Sequence, residues 1–366
     1  MDAIETKLNT PPADNPGADA LEAIEKEIAE LHEQITNLKS AKKQYVGLCH
    51  SSMQEFLQSM AATNPNITPE SVEWDRFPDG TDKIALPILK TSLDALEDRH
   101  VLFVASFHTN EACLSQLHLL VYLCELRIAS LTILLPFFPT GTTERVAKGE
   151  EDIIPTANTL AHMLSTLPSI GPPVKIVTYD IHALPEQFYF SRNAVCRLRT
   201  AVPLMIKQLQ SEQYTIAFPD DGAKKRFAGF FKEAGFANIV TCGKTRKDNT
   251  AEVIIQDGDV IGRKVLIVDD QSKSGGTLFE CAKALRFANA LEVSAFIIHG
   301  AFIPDFVSNY NAFLTRPPDT VHWFRHIYVT NSVPTVQAVV DRIRKDAFRT
   351  KFQILDLAPL AAEELS

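Results

Sequence analysis

From Tyr45 onward the chain alternates short apolar runs with polar-faced stretches of helix length. Runs at 45–49 (YVGLC), 101–107, 131–137 and 174–181 predict one series of strands, and 214–221, 238–242, 264–270, 293–300 and 326–330 predict a second. Helices are expected near 51–62, 111–128, 156–166, 194–210, 222–235, 277–290 and 335–346. Apolar runs without clean alternation, separated by helices, belong to parallel sheets covered on both faces. Two such series predict two tandem doubly wound α/β domains, 44–191 and 192–366, behind an extension of residues 1–43.

The extension follows another pattern. Residues 1–20 are rich in Pro and Gly with no periodic apolar face, as in a flexible tail. Leu21, Ile24, Ile28, Leu31, Ile35 and Leu38 then repeat at 3-4-3-4-3 spacing, one apolar seam on a helix. Its acids come first and Lys39, Lys42 and Lys43 last, complementing the helix dipole. A short self-association coil and an amphipathic helix lying on its own domain both fit this seam.

Composition narrows the partners. The 366 residues include 36 Lys and Arg against 45 Asp and Glu, a net charge of −9, which argues against a nucleic-acid coat. Any anion must therefore meet a local basic cluster. The six cysteines form no CxxC pair, which disfavours a zinc ribbon or a disulfide framework and fits a reducing compartment. The longest apolar stretch, 128–138, is too short to span a bilayer, and the start lacks a signal core, so a cytoplasmic location without a membrane partner is expected. No HExxH or GxSxG motif is present, which removes zinc- and serine-hydrolase readings.

The sharpest local feature is KVLIVDDQSKSGGTLFECAKAL, residues 264–285. A buried strand ends in Asp269 and Asp270, at the strand end where open α/β sheets bind ligands. Paired carboxylates there suit the vicinal hydroxyls of a ribose. Gly275 and Gly276 let backbone N–H groups approach a phosphate, Ser274 and Thr277 add hydroxyls, Lys273 adds charge, and the helix start adds its dipole. This segment resembles the ribose-phosphate-binding signature of type I phosphoribosyltransferases and ribose-phosphate pyrophosphokinases, the PRPP synthetases.

Four further segments follow the synthetase order. WDRFPDGT (74–81) resembles the loop that reaches the adenine of ATP, with Phe77 and Asp79 matching. YDIHALPEQFYF (179–190) resembles the Asp-x-His segment, with His182 at the histidine that meets the ATP phosphates and their magnesium. AFPDDGAKKRF (217–227) puts Asp220 at the metal-binding position, and CGKTRKD (242–248) puts Lys244 and Arg246 on the flexible loop that closes over the reaction centre. Thr142 and Thr143 stand where the family commonly has an Arg-Gln pair that contacts ATP, and Arg145 is a candidate replacement. Ala223 replaces a glycine and Lys273 an acid, and most of these departures resemble the phosphate-independent second class known from plants.

The resemblance implies two type I phosphoribosyltransferase-like domains and transfer of the diphosphoryl group of Mg-ATP to the anomeric hydroxyl of ribose 5-phosphate. Asp269, Asp270 and the 273–277 loop would hold ribose 5-phosphate, Lys244 and Arg246 would clamp the moving group, and Asp220 with His182 would serve magnesium. Neutral imidazole is a poor magnesium ligand, so a phosphate or water-mediated contact suits His182 better. Homodimers built into larger rings, up to a hexamer, are the implied assembly. A non-catalytic regulatory subunit and a PRPP-consuming transferase are the rival readings. Retained Lys244 and Arg246 speak against the first, and the tandem domain against the second.

Overall fold

The structure, a computed structural model, describes residues 43–140, 152–168, 170–191, 193–209, 213–247, 250–315, 323–343 and 349–365. The extension expected before Lys43, and the candidates Thr142, Thr143 and Arg145, lie outside the described residues.

The first sheet starts with β1 (Tyr45–Cys49), α1 (Gln54–Thr63) and β2 (Ile67–Pro69). A separate antiparallel hairpin follows, β3 (Glu73–Arg76) and β4 (Asp82–Ala85). Then come β5 (His100–Val104), α2 (Asn110–Glu125), β6 (Ser130–Leu135), α3 (Thr156–Ser165), β7 (Val174–Tyr179) and β8 (Ala194–Arg199). Its order is β2-β1-β5-β6-β7-β8, all parallel.

The second sheet is entered through α4 (Val202–Leu209). It holds β9 (Thr215–Phe218), α5 (Asp221–Glu233), β10 (Ile239–Lys247), β11 (Thr250–Asp257), β12 (Lys264–Gln271) and α6 (Gly276–Phe287). It closes with β13 (Glu292–His299), α7 (Asp305–Leu314), β14 (Ile327–Thr330), α8 (Val336–Asp341), β15 (Phe352–Leu355) and α9 (Ala358–Glu363). The order is β11-β10-β9-β12-β13-β14-β15, parallel except for the β10–β11 pair. The expected α/β class of two doubly wound parallel sheets is thus the observed one.

The apolar runs earn their continuity from burial on both faces. Along β12, Val265 and Ile267 join the core under α6, while Leu266 and Val268 join a second core on the opposite face. That second core also takes in Leu102, Val104, Val177 and Tyr179 of the first sheet, Phe56 and Met60 of α1, and Ala358 and Ala361 of α9. One continuous apolar body therefore ties the two sheets together, and Asn64 Nδ2 donates to Ala362 O at 3.0 Å across it.

Two expected elements differ. Residues 194–199 form strand β8 rather than the start of a helix over 194–210, and of the described residues in that range only 202–209 are helical. Ala194 is buried while Val195, Arg197 and Arg199 face solvent, the period of two that an edge strand needs. This strand belongs to the first sheet although it lies past residue 191. Lys244 and Arg246 lie on β10, not in a loop: beyond Thr241 that strand outruns its partner β9 and continues on β11, pairing Lys244 with Val253 and Arg246 with Ala251.

Candidate active site

In the second sheet the chain runs from β9 to β10 on one side and returns to β12 on the other. The crevice beyond the ends of β9 and β12 is therefore a topological switch point, where ligands of open α/β sheets bind. Asp220 leaves β9 and caps α5, its Oδ1 accepting from Ala223 N at 2.9 Å. Asp269 and Asp270 are the last acids of β12, with Asp270 N donating to Asp269 Oδ1 at 3.0 Å.

The two carboxyls are driven apart. Burial, reinforced by the neighbouring Asp270 and Asp220 charges, pushes the Asp269 carboxyl well above its ordinary value. Burial also acts upward on Asp270, but the hydrogen bond from His182 and the Arg226 charge outweigh it and hold the group far below the usual carboxylate range. His182 Nδ1 lies 2.7 Å from Asp270 Oδ2, and Arg226 reaches the same oxygen at 3.0 Å.

His182 arrives from the first sheet. After β7, Asp180 takes a left-handed backbone (φ 39°), uncommon for a residue with a Cβ. Its Oδ2 accepts from Ala201 N at 2.7 Å, and burial pushes the carboxyl up to about 6. Arg226 fixes this turn: its NH2 donates to Asp180 O (2.9 Å) and Ile181 O (2.8 Å), and its NH1 to His182 O (2.9 Å). A second tie is His299, at the end of β13, whose Nε2 meets Tyr179 O at 3.0 Å while Nδ1 pairs with Ser332 Oγ at 2.8 Å. Neither tie was expected. Arg226 lies in the first turns of α5, and its side chain, 15% exposed, is committed to the Asp180–His182 turn.

The glycine loop is held from behind. Ser272 N donates to His299 O (3.1 Å), Ile303 N to Lys273 O (3.2 Å), Asn309 Nδ2 to Ser274 O (3.2 Å) and Phe279 N to Gly275 O (2.9 Å). Gly275 caps α6 at φ 82°, and a Cβ there would lie 2.3 Å from the Phe279 ring. Gly276 and Thr277 open the helix. The carbonyls of residues 273–275 thus turn into the protein, the orientation an anion-binding loop requires.

Other candidates sit elsewhere. Phe77, 49% exposed, and Asp79 occupy the tip of the β3–β4 hairpin, where Asp79 Oδ1 accepts from Thr81 Oγ1 at 2.7 Å. The hydrogen bond from Thr81 lowers the Asp79 carboxyl. Among the described residues no group of three or more His, Cys, Asp and Glu is arranged as a metal cage. Magnesium needs none, because it is held by one or two carboxylates, waters and substrate phosphates. Asp220 near Asp269 and Asp270 provides the one or two carboxylates such an ion would use.

Two tandem doubly wound sheets, with an acid pair and a glycine loop at the second switch point, define an α/β protein built for sugar phosphates and nucleotides. No family model matches the chain. Ribose-phosphate pyrophosphokinase 3, chloroplastic, of Oryza sativa subsp. japonica is 38% identical over 336 residues, covering 90% of this chain and 78% of the relative. Ribose-phosphate pyrophosphokinase 4 of Arabidopsis thaliana is 36% identical over 318 residues, 85% of this chain and 89% of the relative. The chain belongs to the ribose-phosphate pyrophosphokinase family. In fold it is similar to a phosphoribosylpyrophosphate synthetase from Mycobacterium smegmatis, at TM-score 0.69 and 20% identity over 88% of this chain and 98% of the other.

Proposed function

We propose that this chain is a catalytically active ribose-phosphate diphosphokinase, with ATP and ribose 5-phosphate meeting where the Asp180–His182 turn abuts β12. The supporting observation is the junction of His182 and Arg226 on Asp270, which brings the ATP-side turn to the ribose-side acids. Asp269 and Asp270 orient the ribose hydroxyls, and the amide side of the 273–277 loop, with Lys273, Ser274 and Thr277, holds the 5-phosphate. Phe77 and Asp79 serve the adenine, with Thr142, Thr143 and Arg145 completing the nucleotide contacts. Asp220 would hold magnesium, and His182 would contact a phosphate directly or through water. The ion would supply positive charge to the phosphate oxygens. Lys244 and Arg246 then align and stabilise the transferring group, since such transfer asks the protein for positioning and positive charge.

The finer assignments are part of the same reading. The relatives at 36–38% identity are plant enzymes, whereas the one from Synechocystis is 28% identical over 60% of this chain, which supports the phosphate-independent second class. We read the two sheets with their helices as two phosphoribosyltransferase-like domains, and the protein as a homo-oligomer. Cytoplasmic residence is favoured by six cysteines kept as free thiols. Relatives named for the chloroplast and the mitochondrion make a fluorescent fusion the test of that residence. Among the described residues no helix is long and apolar enough to cross a membrane.

The deciding experiment is incubation of purified protein with Mg-ATP and ribose 5-phosphate, with AMP and PRPP as readouts. Equal amounts of both, without added inorganic phosphate, are expected. Neither product in the presence or absence of phosphate would leave a non-catalytic subunit as the better account.

A further inference from the structure

The first sheet has a switch point too. The chain goes from β1 to β2 on one side and returns to β5 on the other, so a crevice opens beyond Cys49 and Val104. His50 leaves β1 there, its N–H donating to Val104 O at 3.3 Å, and His108 lies just past β5. The β3–β4 hairpin lines it with Trp74, whose Nε1 donates to Cys49 O at 3.1 Å. The result is a cavity of about 460 Å3, within the range of small-molecule pockets.

Its chemistry differs from that of the aspartate crevice. Three rings face one another: His50 lies 5.0 Å from Trp74 and 5.8 Å from His108, centre to centre. Burial and the nearby His108 lower the His50 pKa to about 4, so that ring is neutral near pH 7. His50 Nδ1 accepts from Ser52 N at 3.3 Å, which places its proton on Nε2. His108 Nδ1 lies 3.0 Å from Ser106 Oγ and 3.3 Å from Ser106 O, which fixes the ring at the cavity wall. Asp75, Asp82 and Glu111 line the same cavity with Arg76; Arg76 pairs with Glu111 at 3.1 Å, while Asp75 meets Lys83 at 3.4 Å and Asp82 meets His118 Nδ1 at 3.0 Å. The one arginine of the lining is thus committed to a carboxylate rather than to a phosphate, while the aromatic wall and the neutral His50 ring, with one donor and one acceptor, suit a flat base with matching edges.

We propose that the crevice of the first sheet binds an uncharged planar heteroaromatic, a purine base or its nucleoside, separately from the substrates at the second sheet. Nothing in this proposal depends on which residues catalyse transfer, since ATP enters its test only as a competitor.

Trp74 is one of two tryptophans, so Trp323→Phe leaves it as the single indole reporter. Adenosine and adenine are titrated into that protein, alone and with saturating Mg-ATP but no ribose 5-phosphate. Saturable quenching that Mg-ATP does not displace is expected, with AMP binding at least about tenfold more weakly. His108→Gln is expected to weaken adenosine at least about tenfold and leave the KM for ATP unchanged. Absence of quenching up to about 5 mM adenosine overturns the proposal. Displacement by Mg-ATP also overturns it, by placing the base at the catalytic nucleotide site. Should His108→Gln fail to fold, as read by circular dichroism, the displacement titration alone decides.

Discussion

The Arg226 guanidinium donates to the Asp270 carboxylate at 3.0 Å while its other hydrogen bonds hold the backbone carbonyls of residues 180–182. One planar side chain thereby sets the distance between the His182 turn and the end of β12. A lysine has the charge but not the fork.

Arg226→Lys is therefore expected to lower kcat by at least about tenfold while the protein stays folded. Arg226→Ala, which leaves a buried carboxylate without its cation, is expected to destabilise by about 3–5 kcal/mol. Urea unfolding of both variants beside an AMP assay checks this pair. An alanine variant within about 0.5 kcal/mol of the parent would show that the turn is held by something else.

Gly275 is the second test. Alanine at φ 82° is strained, and its methyl would collide with Phe279. Gly275→Ala is expected to raise the KM for ribose 5-phosphate more than that for ATP and to destabilise by about 1–3 kcal/mol. Equal changes in both KM values would detach this loop from the sugar phosphate.

His299 gives the pH dependence. Its folded pKa, lowered by burial to about 4, lies below the 6.5 of a free imidazole. The stability it contributes is therefore complete above pH 6.5, falls between 6.5 and 4 as the unfolded chain takes up the proton, and is gone below 4. The loss is about 3 kcal/mol at 1.36 kcal/mol per unit. His299→Gln, which can still donate to Tyr179 O, is expected to lose less stability than the parent between pH 7.5 and 4.5 in urea titrations. Parallel losses would move the acid sensitivity to another group.

Lys244→Ala is expected to reduce kcat by about 10³-fold or more with an unchanged circular dichroism spectrum, as for other cationic clamps on transferring phosphoryl groups. Near-parental turnover would remove Lys244 from the reaction centre. Chelation of magnesium is expected to abolish turnover and leave the melting temperature in place, because the ion is held largely by substrate phosphates.

What the chain reveals about itself follows from how local each signal is. Val265–Val268 is legible because both faces of β12 are buried, and the acids and glycines of the loop follow within a few residues. β8 misleads because an edge strand with arginines on its open face has no continuous apolar run. The β10–β11 extension is polar and reads as a loop, although its ladder is regular through Lys247↔Thr250. Arg226 and His299 act on partners 44–46 and 120 residues away, contacts that no local pattern encodes. Of the candidate site, the acids and glycine loop were readable beforehand, and the side chains that aim them were not.

The hydrogen bond from Asn64 to Ala362 spans 298 residues, and it sits in an apolar layer shared by α1 and α9. During synthesis the ribosome releases α1 long before α9 exists. Phe56, Leu57 and Met60 wait, with that layer incomplete, until α9 emerges. Closure of so distant a contact is slow, and apolar surface held open meanwhile invites aggregation. Removing α9 alone therefore uncovers Phe56 and Met60 of α1, near the start of the described residues.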